Sequence, residues 1–292
     1  MSWIAAVIMG LVQGIAEFLP ISSSGHLAIA GELLGATTDI PEFFDVLLHL
    51  GTLIAVFAFY WSDILDMIRE FIAGVQDLAH HKTPVPVPPA RRLILLLIVA
   101  TLPLVLVLPI KDYIERMNSN MFFVALALIM TGCLLFLSDR VRKGRKNERT
   151  ASLVDALLIG LAQAVATCPG ISRSGTTITA GCIVGLDRRF AVRFSFLMSI
   201  PAVLGANLLS LLDVMETGVN WPEVPVYLLG VAVAAVSGYA CLRLLKLIAE
   251  KGRFGWFAYY CWGIGLVTML LTILICCVNP HCNRGGTTFH GT

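Results

Sequence analysis

Gly10-Leu11-Val12-Gln13-Gly14-Ile15-Ala16-Glu17-Phe18-Leu19-Pro20-Ile21-Ser22-Ser23-Ser24-Gly25-His26 is met a second time as Gly160-Leu161-Ala162-Gln163-Ala164-Val165-Ala166-Thr167-Cys168-Pro169-Gly170-Ile171-Ser172-Arg173-Ser174-Gly175-Thr176. The copies align without a gap at an offset of 150 residues, and Gly, Leu, Gln, Ala, Ile, Ser, Ser and Gly recur in register. Ala30-Gly31 and Gly35 continue the match to Ala180-Gly181 and Gly185. A polar insert broken by Pro and Gly, repeated inside apolar sequence, is the mark of a membrane protein whose site forms where its repeats meet.

Composition agrees. Of 292 residues, 57% are hydrophobic and 14% charged, against about 25% charged in a soluble domain. Mean hydropathy is +0.83, so lipid is the solvent for most of the surface. The net charge of +2 and the lack of a basic aromatic patch exclude nucleic acid. The N-terminus has no positive n-region and runs directly into the repeat, unlike a signal peptide. Eight cysteines lie scattered through apolar sequence without metal spacing and read as packing residues. Cys276, Cys277 and Cys282 sit where a disulfide can form if that end is extracytoplasmic.

Around the first insert, residues 3 to 18 and 24 to 35 read as short helices. The second is too short to cross a hydrocarbon layer, which takes about 20 residues, so the pair reads as a re-entrant hairpin. Broken backbone at that depth must be buried in protein or line a wet cavity. A span follows at 43 to 61, then an amphipathic segment at 62 to 78 and a loop through His80, His81 and Pro84 to Pro89. Spans at 91 to 110 and 120 to 139 close repeat one, residues 1–139. A basic loop, 140–151, leads to repeat two, 152–278, with a second hairpin at 152 to 185 and spans at 189 to 212, 224 to 247 and 256 to 278. Residues 279–292 form a polar tail. The expectation is one all-α polytopic membrane domain, 1–292, of two repeats, each a re-entrant hairpin plus three transmembrane helices.

Three crossings per half is odd, so the second repeat enters inverted relative to the first. Counting the hairpins as full crossings adds two per half and leaves the parity unchanged. Lys and Arg crowd one side: Arg69, Lys82, Arg91, Arg92, the run from Arg140 to Arg149, Arg188, Arg189, Arg193, Arg243, Lys246, Lys251 and Arg253. The other side holds Lys111, Arg116 and Arg284. The first side is therefore cytoplasmic, both termini lie outside, and the two hairpins enter from opposite faces to meet near the midplane.

The inserts differ in chemistry. In the first, Gln13 and Glu17 share a helix face at i, i+4, and an ionisable group at lipid depth is functional by default. Ser22, Ser23, Ser24 and Gly25 supply hydroxyls, a turn and a cap for the helix carrying His26. Ser23, His26 and Glu17 thus offer a nucleophile, an acid/base and a carboxylate. In the second, Gly170, Ser172, Arg173, Ser174, Gly175, Thr176 and Thr177 make a turn whose amides and guanidinium suit an anion. Together the tips describe phosphoryl transfer, with Ser22 and Gly25 joining the phosphate-binding set. The bland readings are small-residue packing for the serines and glycines and a structural ion pair for Glu17 and Arg173. Asp45 and His49, also i, i+4, are placed beside the cavity, as support or direct contact. Asn207 reads as an interhelical hydrogen bond, and Asp155 as an interfacial residue.

Gln13-x-x-x-Glu17, Ser22-Ser23-Ser24-Gly25-His26 and Pro169-Gly170-Ile171-Ser172-Arg173-Ser174 resemble the undecaprenyl-diphosphate phosphatase family, also called bacitracin-resistance proteins. The resemblance covers essentially the whole chain. It implies an inner-membrane enzyme that removes the terminal phosphate of undecaprenyl diphosphate and so recycles the carrier lipid of cell-wall synthesis. It also implies a divalent cation (Mg²⁺ or Ca²⁺), an outward-facing site and a homodimer. Gln13 stands where some members carry Glu, so a metal held by Glu17 and Gln13 would meet one carboxylate fewer. Either Ser23 or His26 could form the covalent bond. A transporter or flippase also suits inverted repeats, but gives Ser23 and His26 no reason to crowd Glu17. The type-2 phosphatidic-acid phosphatases share a superficial Ser-Gly-His, yet no suitably spaced histidine follows Arg173.

Overall fold

Helix starts are set by polar caps placed just ahead of the apolar runs. A computed structural model describes residues 1–33, 42–81, 86–110, 113, 114, 117, 120–217, 221–251 and 254–278. Its helices are α1 (Trp3–Phe18), α2 (Ser23–Leu33), α3 (Glu42–Phe59), α4 (Trp61–Ala79), α5 (Pro89–Thr101), α6 (Met121–Arg140), α7 (Leu153–Val165), α8 (Arg173–Ile183), α9 (Arg188–Thr217), α10 (Val224–Lys251) and α11 (Gly255–Val278). Ser2 caps α1, Asn120 caps α6, and Ser172 caps α8. Ser152 and Asp155 form a reciprocal capping box on α7, each satisfying an amide that the helix start leaves open. Asp155, also bound by Lys146 at 2.8 Å, is thereby explained without chemistry. No strand occurs among the described residues.

The hydropathy reading locates the elements well, with two physical differences. The span at 91 to 110 is α-helical only to Thr101 and continues as 3₁₀ turns, Leu102–Leu106 and Leu108–Ile110. Pro103 and Pro109 each remove an amide that an α-helix would use. The amphipathic 62–78 segment is α4, turned 79° from α3. Five described helices are long and apolar enough to cross a membrane, and six if α3 and α4 count as one span. The chain is therefore a multi-pass membrane protein. The tail 279–292, with Cys282, lies outside the described residues, as do 34–41 and 82–85. Cys277 is an exposed free thiol.

Lipid offers no hydrophobic drive between helices, so close packing of small residues must hold them. α1 and α3 both lie on α10. A Cβ on Gly10 would overlap the Gly230 carbonyl, and one on Gly51 would stand 2.7 Å from the Val231 carbonyl oxygen. In the second repeat, a Cβ on Gly160 would overlap the Ala100 carbonyl of α5. Gly10 and Gly160 are repeat equivalents, and each seats its hairpin against a helix of the other half. Large apolar side chains such as Trp3, Leu158, Val236 and Leu270 face outward, where lipid replaces water. At the basic end, Asp139 of α6 accepts from Arg188 at 3.0 Å and from the amides of Phe254 and Gly255, tying the ends of α6, α9 and α11 together.

Candidate active site

The two broken tips are built alike. Ser22 Oγ accepts the Gly25 amide at 3.3 Å and lies 3.4 Å from Ser24 Oγ. Ser172 Oγ accepts the Gly175 amide at 3.1 Å and lies 3.3 Å from Ser174 Oγ. The tips also touch reciprocally. A Cβ on Gly25 would stand 3.5 Å from Gly170 Cα, and one on Gly175 would stand 3.3 Å from Pro20 Cβ. Pro20 and Gly170 are repeat equivalents, so these contacts have the pattern of a local two-fold. It breaks where Pro20 has no amide to offer: Gly170 N donates to Ser24 Oγ at 3.1 Å, and Ser174 has no counterpart bond. The left-handed residue also moves, from Gly170 (φ 84°) in one tip to Ser22 (φ 75°) in the other. A non-glycine residue held there costs about 1–3 kcal/mol and persists only where its surroundings fix it.

Glu17, on the last turn of α1, is the hub. Its Oε2 accepts from Ser23 Oγ at 2.6 Å and from Gln13 Nε2 at 3.3 Å. Arg173 Nη1, from the other repeat, stands 3.6 Å from Oε1, and His49 Nε2 stands 3.9 Å from Oε2. The Glu17 side chain is 11% exposed and that of Arg173 32%, so the carboxylate is enclosed and the guanidinium partly open. Ser23 and Arg173 are repeat equivalents, hydroxyl in one tip and cation in the other.

These groups line a cavity of ≈ 700 Å³. Its polar lining includes Glu17, Ser23, Ser24, His49, Arg173 and Ser174. Its apolar lining includes Leu104, Val105 and Leu108 of the 3₁₀ segment and Pro201, Ala202 and Leu208 of α9. The lining combines charged and hydroxyl groups with apolar side chains, so it can receive a molecule that carries both a charged group and an apolar chain. A second cavity of ≈ 20 Å³ touches Glu17 and Arg173 from the α3 and α9 side, room for about one water.

Not every residue singled out in the sequence belongs to this chamber. His26 Nδ1 faces the Ser22 carbonyl at 2.8 Å and so carries the proton. Its Nε2 then accepts from Tyr260 OH at 2.9 Å, with the rings stacked. No hydrogen bond joins His26 to Ser23; the Ser23 hydroxyl donates to Glu17 instead. Ser22, Gly25 and Gly170 serve the tips, as cap, close-approach point and left-handed turn. Thr177 lies in the α8–α9 contact, its hydroxyl donating to the Arg173 carbonyl at 2.8 Å and lying beside Ser195 Oγ. Thr176 Oγ1 is buried without a partner and is outside the chamber lining. The anion turn is also narrower than its sequence implies: Gly170, Ser172 and Gly175 amides are bound by Ser24, Thr131 and Ser172. The amides of Arg173 and Ser174, at the start of α8, remain for a ligand. His49 is at the chamber, while Asp45 holds it from behind, its carbonyl accepting His49 Nδ1 at 3.0 Å. Asn207 Nδ2 is buried and unpartnered, contrary to the interhelical bond expected of it.

Three residues escaped sequence reading, and a fourth, Ser24, was legible there only as a hydroxyl of the turn. Ser24 joins the tips. Thr131 clamps the second, accepting from Ser172 N at 3.0 Å and donating to Gly170 O at 3.3 Å. Tyr260 holds His26. Gln163 lines the chamber. A lone hydroxyl in the apolar run of α6 was the available signal for Thr131; Tyr260 is indistinguishable in sequence from an interfacial aromatic.

Fold and site together define a polytopic helical membrane protein with an enclosed carboxylate–hydroxyl–guanidinium cluster lining a chamber that also has apolar walls. The chain belongs to the bacitracin resistance protein BacA family, whose model matches residues 6–267. It is 39% identical over 277 residues to an undecaprenyl-diphosphatase of Methanosphaera stadtmanae, covering 93% of this chain and 99% of that one. It is 40% identical over 277 residues to that of Methanobrevibacter smithii, covering 94% and 99%. With that of Syntrophotalea carbinolica it shares 42% over 266 residues, covering 91% and 97%.

Proposed function

We propose that this protein hydrolyses the terminal phosphate of undecaprenyl diphosphate, giving undecaprenyl phosphate and inorganic phosphate. The observation that carries the reading is the single chamber in which Glu17, Ser23 and Arg173 meet beside apolar walls. The diphosphate lies against the polar lining and the prenyl chain along the 3₁₀ segment and α9. Ser23 Oγ attacks the terminal phosphorus while its proton passes to Glu17 Oε2, already its hydrogen-bond acceptor. The P–O bond to the bridging oxygen breaks, and the lipid monophosphate leaves. Water then hydrolyses the phosphoserine. Arg173 and the open amides at the start of α8 meet the equatorial oxygens, where charge stabilisation is the main task of such a site. His26, turned to Tyr260, holds the tip in shape, and His49 stands 3.9 Å from the Glu17 carboxylate as a neighbouring imidazole.

The donor set fits a divalent cation shared with substrate. Glu17 offers carboxylate oxygens, and Gln13 Oε1 is buried with no partner. Among the described residues no group of three or more His, Cys, Asp or Glu could hold a metal ion alone, so a bound Mg²⁺ or Ca²⁺ would take further ligands from substrate phosphate oxygens and water. Such an ion would neutralise phosphate charge. The Lys/Arg asymmetry supports a plasma-membrane orientation with both termini outside and the chamber facing outward, the repeats inverted, and the resemblance supports a homodimer.

The test is phosphate release by purified protein in detergent, with no gradient. Undecaprenyl diphosphate should be turned over; uptake of lipid phosphate into vesicles without any release would instead identify a transporter.

A further inference from the structure

Gln163 is the repeat equivalent of Gln13, and the comparison isolates it. Gln13 donates to Glu17 at 3.3 Å. The equivalent of Glu17 is Thr167, whose hydroxyl is spent on the Ala164 carbonyl at 2.7 Å. Gln163 is 1% exposed, and neither its Nε2 nor its Oε1 has a partner. A buried unpaired amide is costly, and the residue that carries it borders the chamber. Its helix, α7, packs on α8, which begins at Arg173, and on α5 and the Leu102–Leu106 turn, whose Leu104 and Val105 are among the apolar lining. Glu17 and Ser23 reach the chamber from the first repeat. Gln163 therefore sits on a helix that joins the element carrying Arg173 to the segment that supplies apolar lining.

We infer that Gln163 Nε2 binds the phosphate that stays on the lipid, as a substrate-positioning residue, an inference that rests on the phosphatase reading above. An amide suits this place. It donates a hydrogen bond to the proximal phosphate without adding a charge that would hold the monophosphate product. A hydrogen bond to a charged oxygen corresponds to about 10- to 100-fold in affinity.

The experiment measures kcat and KM for undecaprenyl diphosphate, and inhibition by undecaprenyl phosphate and by inorganic phosphate, in wild type, Gln163→Met and Gln163→Glu. Gln163→Met keeps the volume and removes the unpaired amide. It should raise KM and the inhibition constant for undecaprenyl phosphate about 10-fold or more, leave that for inorganic phosphate unchanged, and unfold at no lower temperature than wild type. Gln163→Glu, equal in shape but unable to donate when ionised, should raise both constants further and serves if the Met variant fails to fold. Unchanged constants in both variants, or a loss of thermal stability with KM unaltered, would overturn the assignment and leave Gln163 a packing residue. Equal shifts for the lipid phosphate and inorganic phosphate would overturn the choice of phosphate. Absence of phosphate release from wild type would instead sink the phosphatase reading itself.

Discussion

Glu17→Gln is the most informative single change, because one substitution separates catalysis from scaffolding. The amide keeps the shape of the carboxylate and a hydrogen bond to Ser23, but it cannot accept the Ser23 proton. Loss of a positioned general base costs about 10²- to 10⁴-fold, or roughly 3–5 kcal/mol on the barrier at 1.36 kcal/mol per decade. The change also leaves Arg173 facing a neutral group. Breaking a fully buried pair costs about 3–5 kcal/mol, but at 3.6 Å with Arg173 32% exposed to the chamber the stability loss should fall to about 1 kcal/mol or less. The assay is initial phosphate release alongside thermal unfolding in the same detergent, extended to Glu17→Gln/Arg173→Gln. The double variant should regain the stability lost by the single one and none of the activity. If activity returns with stability, or if Glu17→Gln alone releases phosphate within a few-fold of wild type, the pair is a structural tie and Glu17 is not the base.

Arg173→Lys should lose at least about 100-fold in kcat/KM with little change in unfolding temperature, since the planar fork cannot be replaced by a point charge; steady-state kinetics decides it. Tyr260→Phe should cost less than about 10-fold in kcat, because His26 is held rather than used; a loss as large as that of Ser23→Ala would return His26 to the chemistry. Gly170→Ala should lower the unfolding temperature, as it combines a φ of 84° with a Cβ 2.8 Å from that of Ala127, a strain of about 1–3 kcal/mol.

Much of this architecture was legible in the chain because lipid imposes long apolar runs, and every break in them needs a reason. The Leu19-Pro20 and Pro169-Gly170 interruptions, and the 150-residue offset between them, mark both tips in the sequence itself. Glu17, Ser23 and Arg173 stood out because charge and adjacent hydroxyls are rare at that depth. What stayed hidden was direction. Spacing put His26 three residues from Ser23, but the helix start turns its ring toward Tyr260, 234 residues away. The Thr177 hydroxyl looked like a phosphate ligand beside Arg173; the helical turn sends it back to its own backbone and to Ser195. Gln163 was visible only as a repeated letter, and its meaning depends on Thr167 having no carboxylate to offer it.

The central claim is that one phosphate is worked on by side chains from both repeats. A double-mutant cycle on phosphate release with Ser23→Ala, Arg173→Ala and the pair measures this most directly. Residues acting as a unit give losses that do not multiply. The predicted result is that each single variant falls at least about 100-fold, with the pair within about 10-fold of the slower single. Near-normal release by Ser23→Ala, or losses that multiply in full, would contradict a shared site.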